Sequence, residues 1–366
     1  MQYKHTEVVK VDAIHPEEAV IERAAALLRA GETVVFPTET VYGLGADAFQ
    51  VAAVERIFAA KGRPFNDPLI VHISGEHELE LLTPALSERA RQLIRAFWPG
   101  PLTLILPRGV RVPMRVTADL ATVAVRMPRH PVALALIRAA GVPLAAPSAN
   151  RFMHVSPTTA QHALGDLNGR VPLILDGGPC EVGVESTVLD LCSAVPTILR
   201  PGGVSLEALR AVLPDVQPPP ARQVMTAGNH TEEDVSQKAP GQLLIHYAPT
   251  VPLLLFEGSG ETMRAAMLEE GRRRREQDQR VGVLIADEDS AAFRDCGAFV
   301  RSLGSVAAPE QVAAALFASL REMETAEVEV ILCRNFDEHG LGLAIRDRLL
   351  RAAGGKLFTG EPPRIA

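Results

Sequence analysis

The chain has 366 residues, 47% hydrophobic and 22% charged, a globular composition with room for two domains that excludes a disordered chain and a small disulfide-stapled scaffold. Its 37 basic and 44 acidic residues give a net charge of −7, so bulk electrostatics do not draw it onto nucleic acid, and 4% aromatic residues with one Trp make a poor stacking platform for single strands. Apolar runs such as Val312 to Leu320 fall short of the roughly 20 residues a membrane helix needs, the N-terminus MQYKHTEVVKVDAIHPEE is charged throughout, and the four cysteines form no CxxC pair, so we expect a cytoplasmic protein with neither a disulfide framework nor a zinc site.

Taken in chain order, Pro16 to Ala30 predicts a helix, with Val20, Ala24, Leu27 and Leu28 on one face and Gly31 as its stop. Thr33 to Phe36 reads as a buried strand running into the loop-like PTETVYGLG, and Val51 to Ala60 as a helix ending at Lys61 and Gly62. Further strands are expected at Leu69 to Ile73, Leu102 to Leu106, Val123 to Met127, Leu144 to Ala146, Leu173 to Asp176, Ser186 to Leu191 and Thr197 to Leu199. Helices are expected at Leu86 to Phe97, Val132 to Ala140 and Leu206 to Val212. From Pro214 to about Pro249 the pattern breaks into Pro-rich and polar sequence, which reads as a linker. Beyond it, strands near 252–256, 281–286, 299–303 and 328–333 alternate with helices near 262–275, 310–323 and 343–353, a small doubly wound α/β unit. The basic run Gly271 to Arg280 contains Glu276 and Asp278 and reads as a solvated helix end, with nucleic-acid contact as the alternative.

No P-loop, HExxH, GxSxG or full GxGxxG pattern is present. Four polar strand-to-loop junctions remain. In FPTETVYGLG, the hydroxyls of Thr38, Thr40 and Tyr42 and the backbone at Gly43 and Gly45 suit a small polar ligand; a capped turn is the bland alternative. In KGRPFNDPLIVHI, Lys61 and Arg63 are spaced to address one polyphosphate, or form a solvated loop pair, and His72 shares the Ile70 face as ligand contact or satisfied core imidazole. Arg126 interrupts an apolar strand, which calls for a carboxylate, internal or from a ligand, or a phosphate; Ser148 and Asn150 follow a buried strand, and Ser156 with Pro157 reads as a helix N-cap. Ser186 begins a strand and Arg200 ends one beside Pro201, Gly202 and Gly203.

The ordered set FPTETVYGLG, KGRP, WPGPLTLIL, VAVRMP, APSAN, SPT, DGG, VEST, LRPG and HYAP resembles the threonylcarbamoyl-AMP synthase family in its long, two-domain form. The resemblance implies a YrdC-like catalytic domain over 1–213, a twisted mixed sheet enclosing a cavity; a linker and lid over 214–249; and a smaller Rossmann-like α/β domain over 250–366. It implies synthesis of L-threonylcarbamoyl-adenylate from L-threonine, bicarbonate or CO2 and ATP with Mg²⁺, releasing pyrophosphate, for N6-threonylcarbamoyladenosine in tRNA next to the anticodon, with a downstream threonylcarbamoyl-transferase complex and a weak tRNA contact as partners. By the same likeness Lys61, Arg63, Ser148 and Asn150 form the catalytic tetrad around the phosphates, while Asp67, Thr122, Ser156, Arg200 and Tyr247 join Arg63 and Ser148 around ATP. Thr40, His72, Arg126, the backbone at Ala146, and Ser186 hold threonine. Family members commonly read Asn-Pro-Leu after the KxRP segment, whereas this chain has Asn66, Asp67, Pro68 and Leu69, so ATP is met either by Asp67 through Mg²⁺ or water, or by Asn66. Two other readings stay open: an RNA-binding module built on the same domain, and a carbamoyl-adenylate enzyme of the hydrogenase-maturation type, whose zinc-finger and acylphosphatase-like segments are not seen here.

Overall fold

The computed structural model describes residues 3–220 and 247–358, which form two compact units; one holds 3–152 and 156–220, the other 153–155 and 247–358. The first comprises β1 (Glu7–Lys10), α1 (Glu18–Arg29), β2 (Val34–Phe36), β3 (Gly43–Asp47), α2 (Val51–Lys61), β4 (Ile70–His72), α3 (Leu79–Leu82), α4 (Glu88–Phe97), β5 (Leu102–Pro107), α5 (Met114–Thr117), β6 (Thr122–Arg126), α6 (Pro131–Ala140), β7 (Leu144–Ala145), α7 (Ala160–Leu167), β8 (Leu173–Asp176), β9 (Thr187–Asp190), β10 (Thr197–Arg200) and α8 (Leu206–Val212). Its strands make one mixed sheet in the order β1-β8-β2-β3-β7-β4-β6-β5-β9-β10.

Alternation along the strands decides which layer each residue enters. Val34 and Phe36 of β2, and Leu173 and Leu175 of β8, pack with Ile21, Ala24, Ala25 and Leu28 of α1 and with the Val132–Ala140 face of α6. The residues between them, Val35 and Ile174, join the larger core, with Ala53, Val54, Ile57 and Phe58 of α2 and Leu93 and Ile94 of α4. On β4, β6 and β5 the odd and even residues part again: Val71, Val123, Val125, Leu104 and Leu106 enter the large core, whereas Ile70, Ala124 and Ile105 form a small cluster with Val188. His72, Arg126, Thr103 and Ser186 each stand two residues along from a member of that small cluster, so they share its face.

Three expectations are corrected. PTETVYGLG is a loop only as far as Tyr42; Gly43 to Asp47 is a strand, antiparallel to β2, because a hairpin register with Val34, Val35 and Phe36 overrides the weak strand propensity of Gly and Ala. Ser156 is not a helix cap: α7 starts at Ala160, and Thr159 caps it by accepting from the His162 N–H. The segment read as a linker is packed at its start, where Val216 is fully buried and Gln217 bridges to Thr197; residues 221–246 of it lie outside the described residues.

The second unit contains β11 (Leu253–Phe256), α9 (Gly260–Arg275), β12 (Val281–Ile285), α10 (Ser290–Phe293), β13 (Phe299–Ser302), α11 (Pro309–Thr325), β14 (Val330–Arg334), α12 (Gly342–Ala352) and β15 (Leu357–Phe358). The strands are all parallel, in the order β13-β12-β14-β11-β15. Val281, Val283, Val330 and Leu332 pack against Met263 and Met267 of α9, which supplies the helix layer a parallel sheet requires. The arginines at the end of α9 are matched within the helix, Arg272 to Glu276 and Arg273 and Arg274 to Glu270, as a solvated helix end should be. Among the described residues no helix is long and apolar enough to cross a membrane, and the four cysteines are free thiols.

Candidate active site

The site is assembled from backbone lacing before any side chain takes part. Gly43 bridges Ser148, the Leu44 N–H donates to the Pro147 carbonyl, the Ala149 N–H to Tyr42 O, and the Tyr42 N–H to Pro157 O. These bonds bind the loop after β2 to the loop after β7, so two of the four polar junctions become one wall. Tyr42 adds its phenol, donating to Gly178 O at 2.6 Å, and burial pushes that phenol well above the ordinary tyrosine range.

Lys61 is the last residue of α2, and Gly62, at φ +66, turns the chain out of the helix in a conformation that costs other residues energy. The buried Lys61 ammonium donates to Ser148 O at 2.6 Å and to Asn150 O, tying the helix end to the second loop. Arg63 donates from Nε to Asp67 O at 3.2 Å and from Nη2 to Pro68 O at 2.8 Å, and its Nη2 stands 2.8 Å from Asp67 Oδ1. That ion pair is buried at both ends, yet lies off the N–H axis, so neither Asp67 oxygen has an aligned hydrogen bond. Burial pushes the Asp67 carboxyl above the usual aspartate range, against the pull of Arg63, Lys61 and Arg200. Three cations thus converge on one acid. Half-buried Thr122 opens β6, at the end of that strand opposite Arg126.

The other end of the same strands carries the second group. His72 pairs with Arg126 in register, and the β5–β6 register puts Thr103 across from Arg126. Thr103 and Ser186 share a hydroxyl hydrogen bond at 2.7 Å, and Arg200 donates from Nη2 to Ser186 Oγ at 3.2 Å and to its carbonyl at 2.9 Å. The result is a row of Ser186, just before β9, then Thr103, Arg126 and His72 on β5, β6 and β4. The Arg126 guanidinium donates from Nε to Gly100 O at 3.2 Å and from Nη1 to Thr40 Oγ1 at 2.9 Å, while its Nη2 faces Glu39 at 2.7 Å. Burial and the Arg126 charge push the His72 imidazole down to about 3, so it is neutral; its Nδ1 is 3.3 Å from Ile70 O. The Ala146 N–H is already bonded to Ile70 O. Ser156 donates to the buried Glu185 carboxylate at 2.5 Å, one residue before Ser186.

Of the residues singled out in the sequence, Lys61, Arg63, Asp67, Ser148, Asn150 and Arg200 meet around Asp67 and the β7 loop, and Thr40, His72, Arg126 and Ser186 meet along the row. Tyr247 belongs to the second unit, where it stacks on Phe317 and lies under the Arg348 guanidinium. Three buried residues were not anticipated: Glu39, Thr103 and Glu185. Thr103, a polar residue breaking an apolar strand as Arg126 does, carried the signal that could have found it. A separate cleft of about 730 Å³, lined by Tyr3, Thr33, Arg56, Asn168 and Arg170 among others, contains none of these groups. Among the described residues no cluster of three or more His, Cys, Asp or Glu is arranged to hold a metal ion.

Comparison with known proteins places this geometry in context. A family model described as "Telomere recombination" matches residues 26–202, and one described as "Threonylcarbamoyl-AMP synthase, C-terminal domain" matches residues 204–354. The chain is 45% identical to threonylcarbamoyl-AMP synthase of Bacillus subtilis over 359 residues, covering 98% of this chain and 100% of that protein. It is 43% identical over 348 residues to the enzyme of the same name from Pyrococcus abyssi, covering 93% and 96%. The crystal structure of P. abyssi Sua5 complexed with L-threonine superimposes with a TM-score of 0.88 at 42% identity, covering 97% of this chain and 99% of that one.

Proposed function

The chain belongs to the threonylcarbamoyl-AMP synthase family, and from that premise we propose that it joins L-threonine, bicarbonate or CO2, and MgATP into L-threonylcarbamoyl-adenylate with release of pyrophosphate. The observation that carries this reading is the pairing of a guanidinium row with a cation cluster on one sheet: Arg126, Thr40, His72 and Ser186 at one end of β4 and β6, and Lys61, Arg63 and Arg200 around Asp67. An amino-acid carboxylate matches the first and a triphosphate the second.

In this mechanism the threonine amine loses a proton and its nitrogen bonds to the carbon of CO2, giving a carbamate. A carbamate oxygen then bonds to the α-phosphorus as the bond to pyrophosphate breaks. No covalent enzyme intermediate forms. The protein contributes position and charge: Lys61, Arg63 and Arg200 gather the phosphates, and the loop from Ser148 to Asn150, held by Lys61, sets their depth. Mg²⁺ enters with ATP, coordinated by its phosphates, and is treated as part of the nucleotide substrate. Asp67, ringed by cations, orients Arg63. The threonine methyl supplies only about 1 to 3 kcal/mol of preference over serine. The adenylate then serves, in the cytoplasm, a transferase that modifies tRNA adenosine next to the anticodon.

The test is pyrophosphate release by the purified full chain, expected only when L-threonine, bicarbonate, ATP and Mg²⁺ are all present. Release without threonine overturns the proposal.

A further inference from the structure

Glu39 stands between Thr38 and Thr40 in the loop after β2 and is 3% exposed. Its Oε1 lies 2.7 Å from Arg126 Nη2, but off the N–H direction, so both carboxylate oxygens are buried without a hydrogen-bond donor. The Cys180 thiol and the His130 imidazole sense its charge without donating to it. Arg126 therefore balances the charge of Glu39 and leaves its lone pairs unmet. A buried carboxylate in that condition is costly, and a ligand that brings donors repays the cost.

The opposing pair also has a shape of charge. Arg126 directs Nη1 to Thr40, and its Nη2 lies beside Glu39, so positive and negative groups stand next to each other along the His72–Ser186 row. An amino acid in water is a zwitterion, one carboxylate beside one ammonium. We infer that Glu39 takes the ammonium group of the amino-acid substrate, while Arg126 takes its carboxylate, so that the pair selects α-amino acids over simple hydroxy acids. This rests on the reading of the row as the threonine site.

The experiment compares binding of L-threonine and (R)-3-hydroxybutanoate, which keeps the carboxylate, methyl and hydroxyl but lacks the amine, by calorimetry on the full chain and on Glu39→Gln. The unaltered protein should prefer L-threonine by about 10- to 100-fold, the worth of a charge-assisted hydrogen bond, and Glu39→Gln should abolish most of that preference while changing hydroxybutanoate affinity by less than about 3-fold. If Glu39 serves only to hold Arg126, both ligands weaken together in the variant, and the inference fails. It fails too if the unaltered protein binds the two ligands alike. Should the glutamine variant not fold, Glu39→Asp replaces it, since it keeps the counter-charge while drawing the oxygens back, and a partial loss of preference is then expected; an unchanged preference overturns the inference. Absence of any L-threonine binding to the unaltered protein, with no pyrophosphate release, would instead sink the functional reading beneath it.

Discussion

Lys61 holds two backbone carbonyls from a buried position at a helix end, so its removal takes away both a phosphate-directed charge and the tie on the Ser148–Asn150 loop. Lys61→Ala should lower kcat/KM at least about 100-fold, and stopped pyrophosphate assays over a range of ATP concentrations should show the loss in kcat as well as KM, because loop position and charge fall together. His72 behaves differently. With its imidazole pushed down to about 3, it stays neutral from pH 5 to 8, and the rate should show no inflection from His72 across that interval. The same depression has a cost in acid: the unfolded chain takes up a proton near pH 6.5 that folded His72 refuses, so stability falls as pH drops from about 6.5 toward 3, measurable by denaturant titration. Arg126 was legible in the sequence, since a permanent charge inside an apolar strand demands a partner, whereas Lys61 and Arg63 at a helix end also read as a solvated loop pair until the family resemblance assigned them. Glu39 was not, because three hydroxyl residues around it made the loop look like a hydroxyl site and nothing in the sequence told which acid would be buried.

Among the elements, the turn after β10 is the most exacting. A Cβ at Gly202 would lie 2.3 Å from Glu185 O and from the Ser186 carbonyl carbon, both main-chain atoms that cannot rotate away. Gly202→Ala should therefore push the start of β9 off Arg200 and Thr103, lowering activity by about 10-fold or more and stability by about 1 to 3 kcal/mol, read by chemical denaturation. Helices with an apolar face were visible in advance as helices: on α1 the expected Ala24 and Leu28 are buried, but Val20 and Leu27 are half-buried and Ile21 and Ala25 complete the buried face, while α2 ends at Gly62 as its glycine signals. Missed elements had no such periodicity. β1 is the four-residue EVVK at the sheet edge, held by its parallel pairing with β8, and β3 is a glycine-rich strand that exists because β2 lies beside it.

At the scale of the whole chain, the two sheets have separate cores, one joining Val35, Leu104 and Val125 to α2 and α4, the other joining Val283 and Leu332 to α9. Substrates stabilise the unit that binds them by mass action: at about 100 times their Kd they add about 2.7 kcal/mol, which should raise the calorimetric transition of that unit by about 5 to 10 °C. A shift absent at saturating L-threonine and MgATP would place the site elsewhere.

The row from Ser186 through Thr103 and Arg126 to His72 draws residues from three strands and from the position just before a fourth, and Arg200 seals it from the end of β10. Those residues span more than half of the first unit's chain length, so during synthesis the row is complete only after Ser186 has emerged, and Arg200 seals it only after the tenth strand. A nascent chain halted between β6 and β9 carries His72, Thr103 and Arg126 and lacks Ser186 and Arg200. The complete pocket is therefore a late product of synthesis, closed by the last two strands of the first sheet.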